Sequence, residues 1–523
     1  MIDDPVATAR RSDTPANADR ALRYNKAQPR NYTTIGSRNM REHRSGRISI
    51  WRFGISLMIP IVFSVCWCFS SLAQSQSLNP SATQASANAN AAVTTELRRA
   101  ADLLQSGNLD KAEPILHRVL ASNPNNADAH NLLGVILDQR AKTAEAEREY
   151  RTSLRLNPNG LSAMANLGVL LARTGRAEEA IKTFESVLRS MPDHPQATVN
   201  LGFLYATRGD DARAISLLQR AMTLGFDSYE VRYRLGVSLY SLKRFDEARS
   251  ALDSALTLSP NAAEPYYYLG LIAWADHHDA EAADFWDHAV TLRPNFPEAN
   301  FMLGEALRKN KRTQASVEFY KHALDQDATQ FVYYARLGGV YIALGQTDQA
   351  LEVFRRSVLR FPKLPEAHYF VGIAARAQAD YDTAERELRK SLALQPENVN
   401  ALAQLGFVLL ERDRMTEAET FLRRAIAIND KHFYANYDLG RLLVKSRRYE
   451  QALPILEHAA TLKMNNPAVH YQLFLTLSRL KRKEEADHEL ATFKELDEAR
   501  KARSRSDGEI DDEDIQNPPA PPI

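Results

Sequence analysis

The sequence has two cysteines in 523 residues, Cys66 and Cys68, and both lie inside one apolar run. That scarcity excludes a disulfide framework, a cysteine-based zinc site and a cysteine nucleophile in the body of the chain. Charge of one sign is lacking too, since 66 Lys and Arg stand against 65 Asp and Glu for a formal net charge of +1. A broad nucleic-acid surface works by releasing counterions from phosphates and needs a marked basic excess, so no nucleic-acid partner is expected. There is no Gly-rich phosphate loop, no HExxH pair and no Gly-x-Ser-x-Gly element. Without these the chain reads as non-enzymatic, with no catalytic residues and no cofactor.

Long hydrophobic runs are equally scarce. One stands out, Phe53 to Ala73, uncharged throughout and preceded by Arg41, Arg44, Arg47 and Arg52. The preceding residues 1–52 hold eleven Lys or Arg and five Asp or Glu and show no periodic apolar face, which reads as a basic disordered segment. A basic flank, an apolar stretch and then Ser71-Leu72-Ala73 describe a signal peptide cleaved after Ala73. An uncleaved transmembrane anchor is the rival reading, because the run is just long enough to cross a bilayer. Either way the rest of the chain is expected outside the cytoplasm, periplasmic or extracellular. Met40 offers an alternative start that would give the signal a more usual length. Residues 74–92 are rich in Ser, Gln, Asn, Ala and Thr and read as a flexible linker, and residues 501–523 as a disordered acidic and Pro-rich tail.

Between these segments the sequence repeats. Glycine occurs at 134, 168, 202, 236, 270, 304, 338, 372, 406 and 440, every interval being 34 residues. Leucine precedes each glycine except at Val371, and alanine follows twelve residues later except at Ser316. Sixteen residues after the glycine comes a large apolar side chain: Tyr150, Phe184, Leu218, Leu252, Trp286, Tyr320, Phe354, Leu388, Leu422 and Leu456. Two antiparallel helices per unit account for the alternation, with small residues letting the backbones approach and large ones filling the space beside them. Pro124, Pro158, Pro192, Pro260, Pro294, Pro362 and Pro396 fall where the second helix must stop. Phe226, Ala328, Asp430 and Met464 replace the expected proline, which leaves those four turns open.

This Leu-Gly, Ala, Phe/Tyr/Leu, Ala, Pro pattern resembles the tetratricopeptide repeat (TPR) family. Framed from Val93, twelve units without insertion run from 93 to 500. The resemblance implies an all-α fold, an α-solenoid or right-handed superhelix of helix-turn-helix units, whose concave groove binds extended peptides or partner segments. The first unit, with Arg99 and Ala100 in place of Leu-Gly, and the last, with Phe474 in place of glycine, read as solvent-facing caps.

If the fourth, seventh, eighth and eleventh positions of each unit belong to the core, the second, fifth, sixth, ninth, twelfth and thirteenth are free to line the groove. There stand Asn166, Asn200, Tyr233, Arg234, Tyr240, Tyr267, Tyr268, Trp274, Phe301, Arg308, Arg336, Tyr369, Phe370, Arg376, Tyr437 and Arg441. Aromatic rings offer stacking area and arginines offer paired donors for carboxylates or peptide carbonyls, the chemistry of a protein-binding surface. A glycan-contacting component of an envelope polysaccharide export or assembly system is the alternative, since aromatics also stack on sugars. The polar cluster Asp276, His277, His278, Asp279, Asp284 and His288 has no metal-ligand spacing and suits an exposed turn.

Overall fold

The computed structural model describes residues 80–506, so the basic segment, the apolar run and most of the acidic tail lie outside the described residues. Those described form twenty-four α-helices and no strand, from Pro80–Gln105 to Lys483–Ser506. They pair into twelve hairpins, numbered 1 to 12 below, on the register expected from the glycines. One expectation is corrected at the start. The stretch expected as part of a linker is helical from Pro80 onward, continuous with the first helix of hairpin 1. Alanine at 82, 85, 87, 89, 91 and 92 gives it the helix propensity that a reading of its polar residues overlooked.

Each hairpin turns at its fifteenth residue, which adopts a left-handed conformation in all twelve. Glycine serves at 107, 175, 209 and 345, but Ala141, Lys243, His277, Lys311, Ala379, Asp413, Arg447 and Lys481 do so with φ between 57° and 61°. In hairpin 2 the Lys142 amide then reaches the Leu137 carbonyl at 2.8 Å and the Ala141 amide that of Asp138 at 3.0 Å. This pair of bonds closes the end of the first helix and points the chain into the second. First helices start on side-chain caps such as Asn126, Asn398 and His432, or on proline at 195, 297, 365 and 467.

The recurrent glycine has a sharper reason than close backbone approach. A Cβ built at Gly270 would lie 2.4 Å from Trp286 Nε1, one at Gly338 2.3 Å from the Phe354 ring, and one at Gly440 2.3 Å from Leu456 Cδ2. The residue sixteen positions on therefore lies against the glycine itself, and Tyr150, Phe184, Trp286, Tyr320 and Phe354 are all fully buried there. Trp286 adds a buried bond from its indole N–H to the Tyr267 carbonyl at 3.1 Å.

Successive hairpins join on three kinds of contact. First helices pack against the first helices of their neighbours, so they form the inner layer and the second helices the outer one. At the fourth position a polar side chain holds the carbonyl that ends the preceding hairpin: His130 on Pro124, Asn300 on Pro294, Tyr334 on Ala328, His368 on Pro362, Asn436 on Asp430 and His470 on Met464. The turns at Ala328, Asp430 and Met464 are thus secured without proline. The turn near Phe226 closes differently, with the second helix ending at Thr223 and Gly225 at φ 88°. On the outer layer, Arg176 bridges to Glu147, Arg414 to Glu385 and Arg448 to Glu419, each across one hairpin boundary.

The core is not uniform along the array. One apolar cluster runs from Leu97 to Ile272 and another from Ile342 to Ala486, with two smaller ones between them. The subdivision coincides with the first helices Ala263–Ala275, Pro297–Lys309 and Phe331–Ala343, which approach one another less closely than those elsewhere. Aromatic rings stand in the gap, with Tyr267 5.1 Å from Phe296 and Phe301 5.0 Å from Tyr333 between centroids.

Candidate functional site

The inner layer presents the residues that the repeat pattern left free, but many of them turn inward to their neighbours. Asn200, Tyr233, Tyr267 and Tyr369 are buried, and their assignment to an open groove is corrected. The fifth position of a first helix points at the first helix of the next hairpin, a contact invisible to the periodicity of one helix. Tyr233 stacks on Tyr229 at 5.8 Å and meets Tyr268 edge-on at 6.1 Å. Asn200 spends its amide on the Gln196 carbonyl at 2.8 Å, and the half-buried Asn166 bonds Asn131 across a hairpin boundary at 3.0 Å.

In hairpins 5 to 7 several rings remain partly exposed. Tyr240 and Tyr268 meet edge-on at 5.5 Å, and Trp274 lies over the buried Trp286 at 5.6 Å. Lys309 sits 4.4 Å above the Trp274 ring, and Arg234 lies over Phe203 while bonding Glu230. In hairpin 7 the partly exposed Phe301 packs on Tyr320 at 5.7 Å. Burial, with neighbouring carboxylates and phenols, pushes the Tyr268 hydroxyl up to about 12, so it stays a neutral donor near neutrality.

A polar seam follows. Glu305 occupies the ninth position, where other units carry Val135, Val169, Phe203, Leu271 or Ile373. It accepts from the Tyr320 hydroxyl at 2.6 Å, with Arg336 at 3.0 Å and Arg308 at 3.6 Å. The departure of one acid from an apolar column was visible in the sequence and was passed over.

A second charged cluster lies in hairpins 9 to 11. Phe370 stacks on Phe354 at 5.1 Å, and Tyr437 stacks on Phe433 at 5.8 Å. Arg376 and Arg441 lie over the Phe407 ring at 4.8 and 5.7 Å. Arg441 also bonds Asp438 at 3.0 Å and Glu411 at 2.9 Å. Burial pushes the Asp438 carboxyl above its ordinary range despite that arginine, and burial likewise lowers the Arg376 guanidinium. Asp438 and Phe407 stand at the sixth and ninth positions, among those free to line the groove, yet sequence reasoning did not single them out; their contacts with Arg441 and Arg376 mark them.

The acidic and histidine cluster of hairpin 6 is dispersed. Asp279 bonds Lys309 at 2.7 Å, His278 faces Glu281 at 3.6 Å, and His288 turns to the Asp284 carbonyl of its own helix. Among the described residues no three His, Cys, Asp or Glu side chains converge as a metal site. No helix among them is long and apolar enough to cross a membrane.

Models of the tetratricopeptide repeat match residues 97–160, 160–224 and 233–295. A model of the cilia and flagella-associated protein 70 C-terminal domain matches residues 287–509. No curated protein matches the sequence. Among solved structures, the chain is similar to YrrB, described as a TPR protein with an unusual peptide-binding site, at 22% identity over 35% of this chain and 95% of that one, TM-score 0.33. It is similar to Pseudomonas aeruginosa PilF at 22% identity, covering 41% of this chain and 98% of that one, TM-score 0.37. The Cut9-Hcn1 tetramer of APC/C gives 12% identity over 72% and 95%, TM-score 0.39.

Proposed function

The chain belongs to the tetratricopeptide repeat family, and we propose that it is a non-enzymatic scaffold whose inner face holds an extended segment of a partner protein. The observation that carries this reading is the partly exposed aromatic set Tyr240, Tyr268, Trp274 and Phe301, followed along the same face by Arg308 and Arg336 beside Glu305. Rings give a sequence-tolerant apolar platform, and guanidiniums fix the register of a peptide by binding its carbonyls or carboxylates. The arginines are held by neighbouring carboxylates, so their direction is set before a partner arrives and little ordering remains to be done on binding.

The array is further proposed to act outside the cytoplasm. The support is the basic flank and uncharged run of residues 41–73, which lie outside the described residues. Cell fractionation with N-terminal sequencing of the mature chain tests this. A cytoplasmic product that begins at Met1 or Met40 overturns it.

The binding reading is tested by cross-linked affinity purification with the wild-type chain beside Tyr268→Ala and Trp274→Ala. A specific protein captured by the first and lost from the variants is expected. Undiminished capture by both variants rules the platform out. Retention on a polysaccharide column in the absence of any protein partner favours the glycan-contacting alternative instead.

A further inference from the structure

One charged patch adjoins the aromatic platform and touches it through a single lysine. The turn of hairpin 7 reads Arg308, Lys309, Asn310, Lys311, Arg312, four cations in five residues with no acid among them. All but Arg308 are exposed. Lys309 lies against the Trp274 ring and bonds Asp279, which ties the basic turn to the edge of the platform. The inner face of hairpins 5 and 6 therefore offers rings, and the turn edge of hairpin 7 offers positive charge beside Trp274.

The same sequence holds a segment with the complementary features in sequence. Residues 507–523 contain Asp507, Glu509, Asp511, Asp512, Glu513 and Asp514 with no Lys or Arg, and then Pro518, Pro519, Pro521 and Pro522. Proline-rich chain is preset toward the polyproline II conformation and docks on aromatic-lined grooves at low entropic cost. Carboxylates are attracted to a basic patch and fix the direction in which the segment lies. In polyproline II form, at ~3.1 Å per residue, the centres of the acidic and proline stretches would stand at most about 28 Å apart. The basic turn and the rings of hairpins 5 and 6 are one to two hairpin steps apart, each on the order of 10 Å from helix packing distances.

We propose that residues 507–523 of one copy dock on the platform and basic turn of a second copy, prolines on Tyr240, Tyr268 and Trp274, acids on Lys311 and Arg312. Binding within one chain is disfavoured by reach. Fully extended, the chain from Ser506 to the first of these prolines spans about 40 Å, whereas hairpins 5 and 6 lie six or seven steps back along the inner face, on the order of 60 Å. The segment then competes with any partner for the groove, so this inference rests on the groove reading above and names an occupant for it.

The test titrates a fluorescein-labelled synthetic peptide of residues 507–523 into the chain truncated after Ser506 and follows anisotropy. Saturable binding is expected, weakened at least about tenfold by Trp274→Ala, by Lys311→Glu with Arg312→Glu, and by a peptide with its four prolines changed to alanine. The charge reversal lies on an exposed turn outside the packed core, which keeps the test decisive if Trp274→Ala unfolds. Sedimentation of the full chain should show concentration-dependent dimers that the truncated chain lacks. Absence of saturable binding overturns the proposal, and so does binding that neither the charge reversal nor the proline-free peptide changes. If the peptide fails while partner capture still depends on Tyr268 and Trp274, this inference falls alone. If capture is also insensitive to them, the groove reading falls with it.

Discussion

Hairpins 3 and 4 and hairpins 5 to 7 are built on the same frame and differ in what they place on the inner face. The first pair carries Ala165, Val169, Ala172 and Val199 there, and its first helices lie close together. The second set carries Tyr233, Tyr240, Tyr267, Tyr268, Trp274 and Phe301, the first helices of its hairpins 6 and 7 stand farther apart, and the apolar core divides there. Yet Gly168, Gly202, Gly236 and Gly270 all face the large residue sixteen positions on, and each turn is left-handed at the same place. Hairpin geometry is therefore set by contacts inside a unit, and inner-face chemistry by contacts between units, so the second varies while the first stays fixed.

The comparison breaks most easily at the glycines. Gly270→Ala places a Cβ 2.4 Å from a buried, hydrogen-bonded indole, whereas at Gly202 the nearest atom is Leu218 Cδ2 at 3.0 Å, the end of a flexible side chain. Gly270→Ala should cost about 2 to 3 kcal/mol through overpacking. Gly202→Ala should come out near zero, since alanine recovers about 1 kcal/mol of helix propensity. Urea midpoints of the two variants check this, and equal losses would show that the middle hairpins are no more tightly built than the early ones.

A second contrast lies between two boundaries that use the same clamp. His368 and Glu387 meet at 2.8 Å with side chains 7% and 9% exposed, while His130 and Glu149 meet at 2.6 Å at 15% and 26%. Burial alone would raise the Glu387 carboxyl, but bonds from His368, Lys390 and Arg386 carry it below the usual glutamate value. A depressed carboxyl stabilises the fold above its ordinary range, and that contribution is lost as pH falls through the depressed value. Glu387→Gln should cost about 2 kcal/mol near neutrality and flatten the acid limb of a stability-against-pH curve. Glu149→Gln should cost under about 1 kcal/mol.

The turns give a smaller effect of opposite sign. Ala141→Gly and Ala379→Gly remove left-handed strain and should each raise stability by about 0.5 to 1 kcal/mol, with Gly175→Ala lowering it by a similar amount. Thermal melts decide this, and a loss in both glycine variants would mean the strain is absorbed elsewhere. Smallest is the outer ladder. Arg448→Ala, which leaves Glu419 with Arg423, should cost a few tenths of a kcal/mol. The difference from wild type should vanish in high salt.

The hairpin frame was legible because its causes recur inside every unit: glycine against a ring, alanine beside it, a break after each second helix. What the glycine faces was half legible, since the sequence offered both the alanine and the large residue as partners and only the coordinates choose Trp286 for Gly270. The inner face was less legible for a different reason. Tyr233, Tyr267 and Tyr369 are buried, Tyr233 against Tyr268 of the next hairpin and Tyr267 against Phe296 at the end of its own, and helical periodicity within one helix says nothing about such contacts. Glu305, by contrast, announced itself as an acid in a mainly apolar column and needed only comparison of equivalent positions, whereas the column of Asp438, with Asn166, Asn200, Arg234 and Gln404, is already polar and gave no such signal. The left-handed residue at each turn escaped notice because Ala, Lys, His, Asp and Arg serve there as well as glycine.

The polar latch at the fourth position has a mechanical meaning. His, Asn and Tyr side chains each hold a carbonyl of the preceding hairpin, and no hairpin packs beyond its immediate neighbours. Six of the eleven boundaries carry such a latch, and all eleven lie in series, so a tension applied to the two ends divides its extension among them, and each boundary yields by a small rotation before any helix must unwind. The array then behaves as a spring whose stiffness is set by its softest joints, and the divided core around hairpins 6 to 8 puts most of the give beneath the aromatic face.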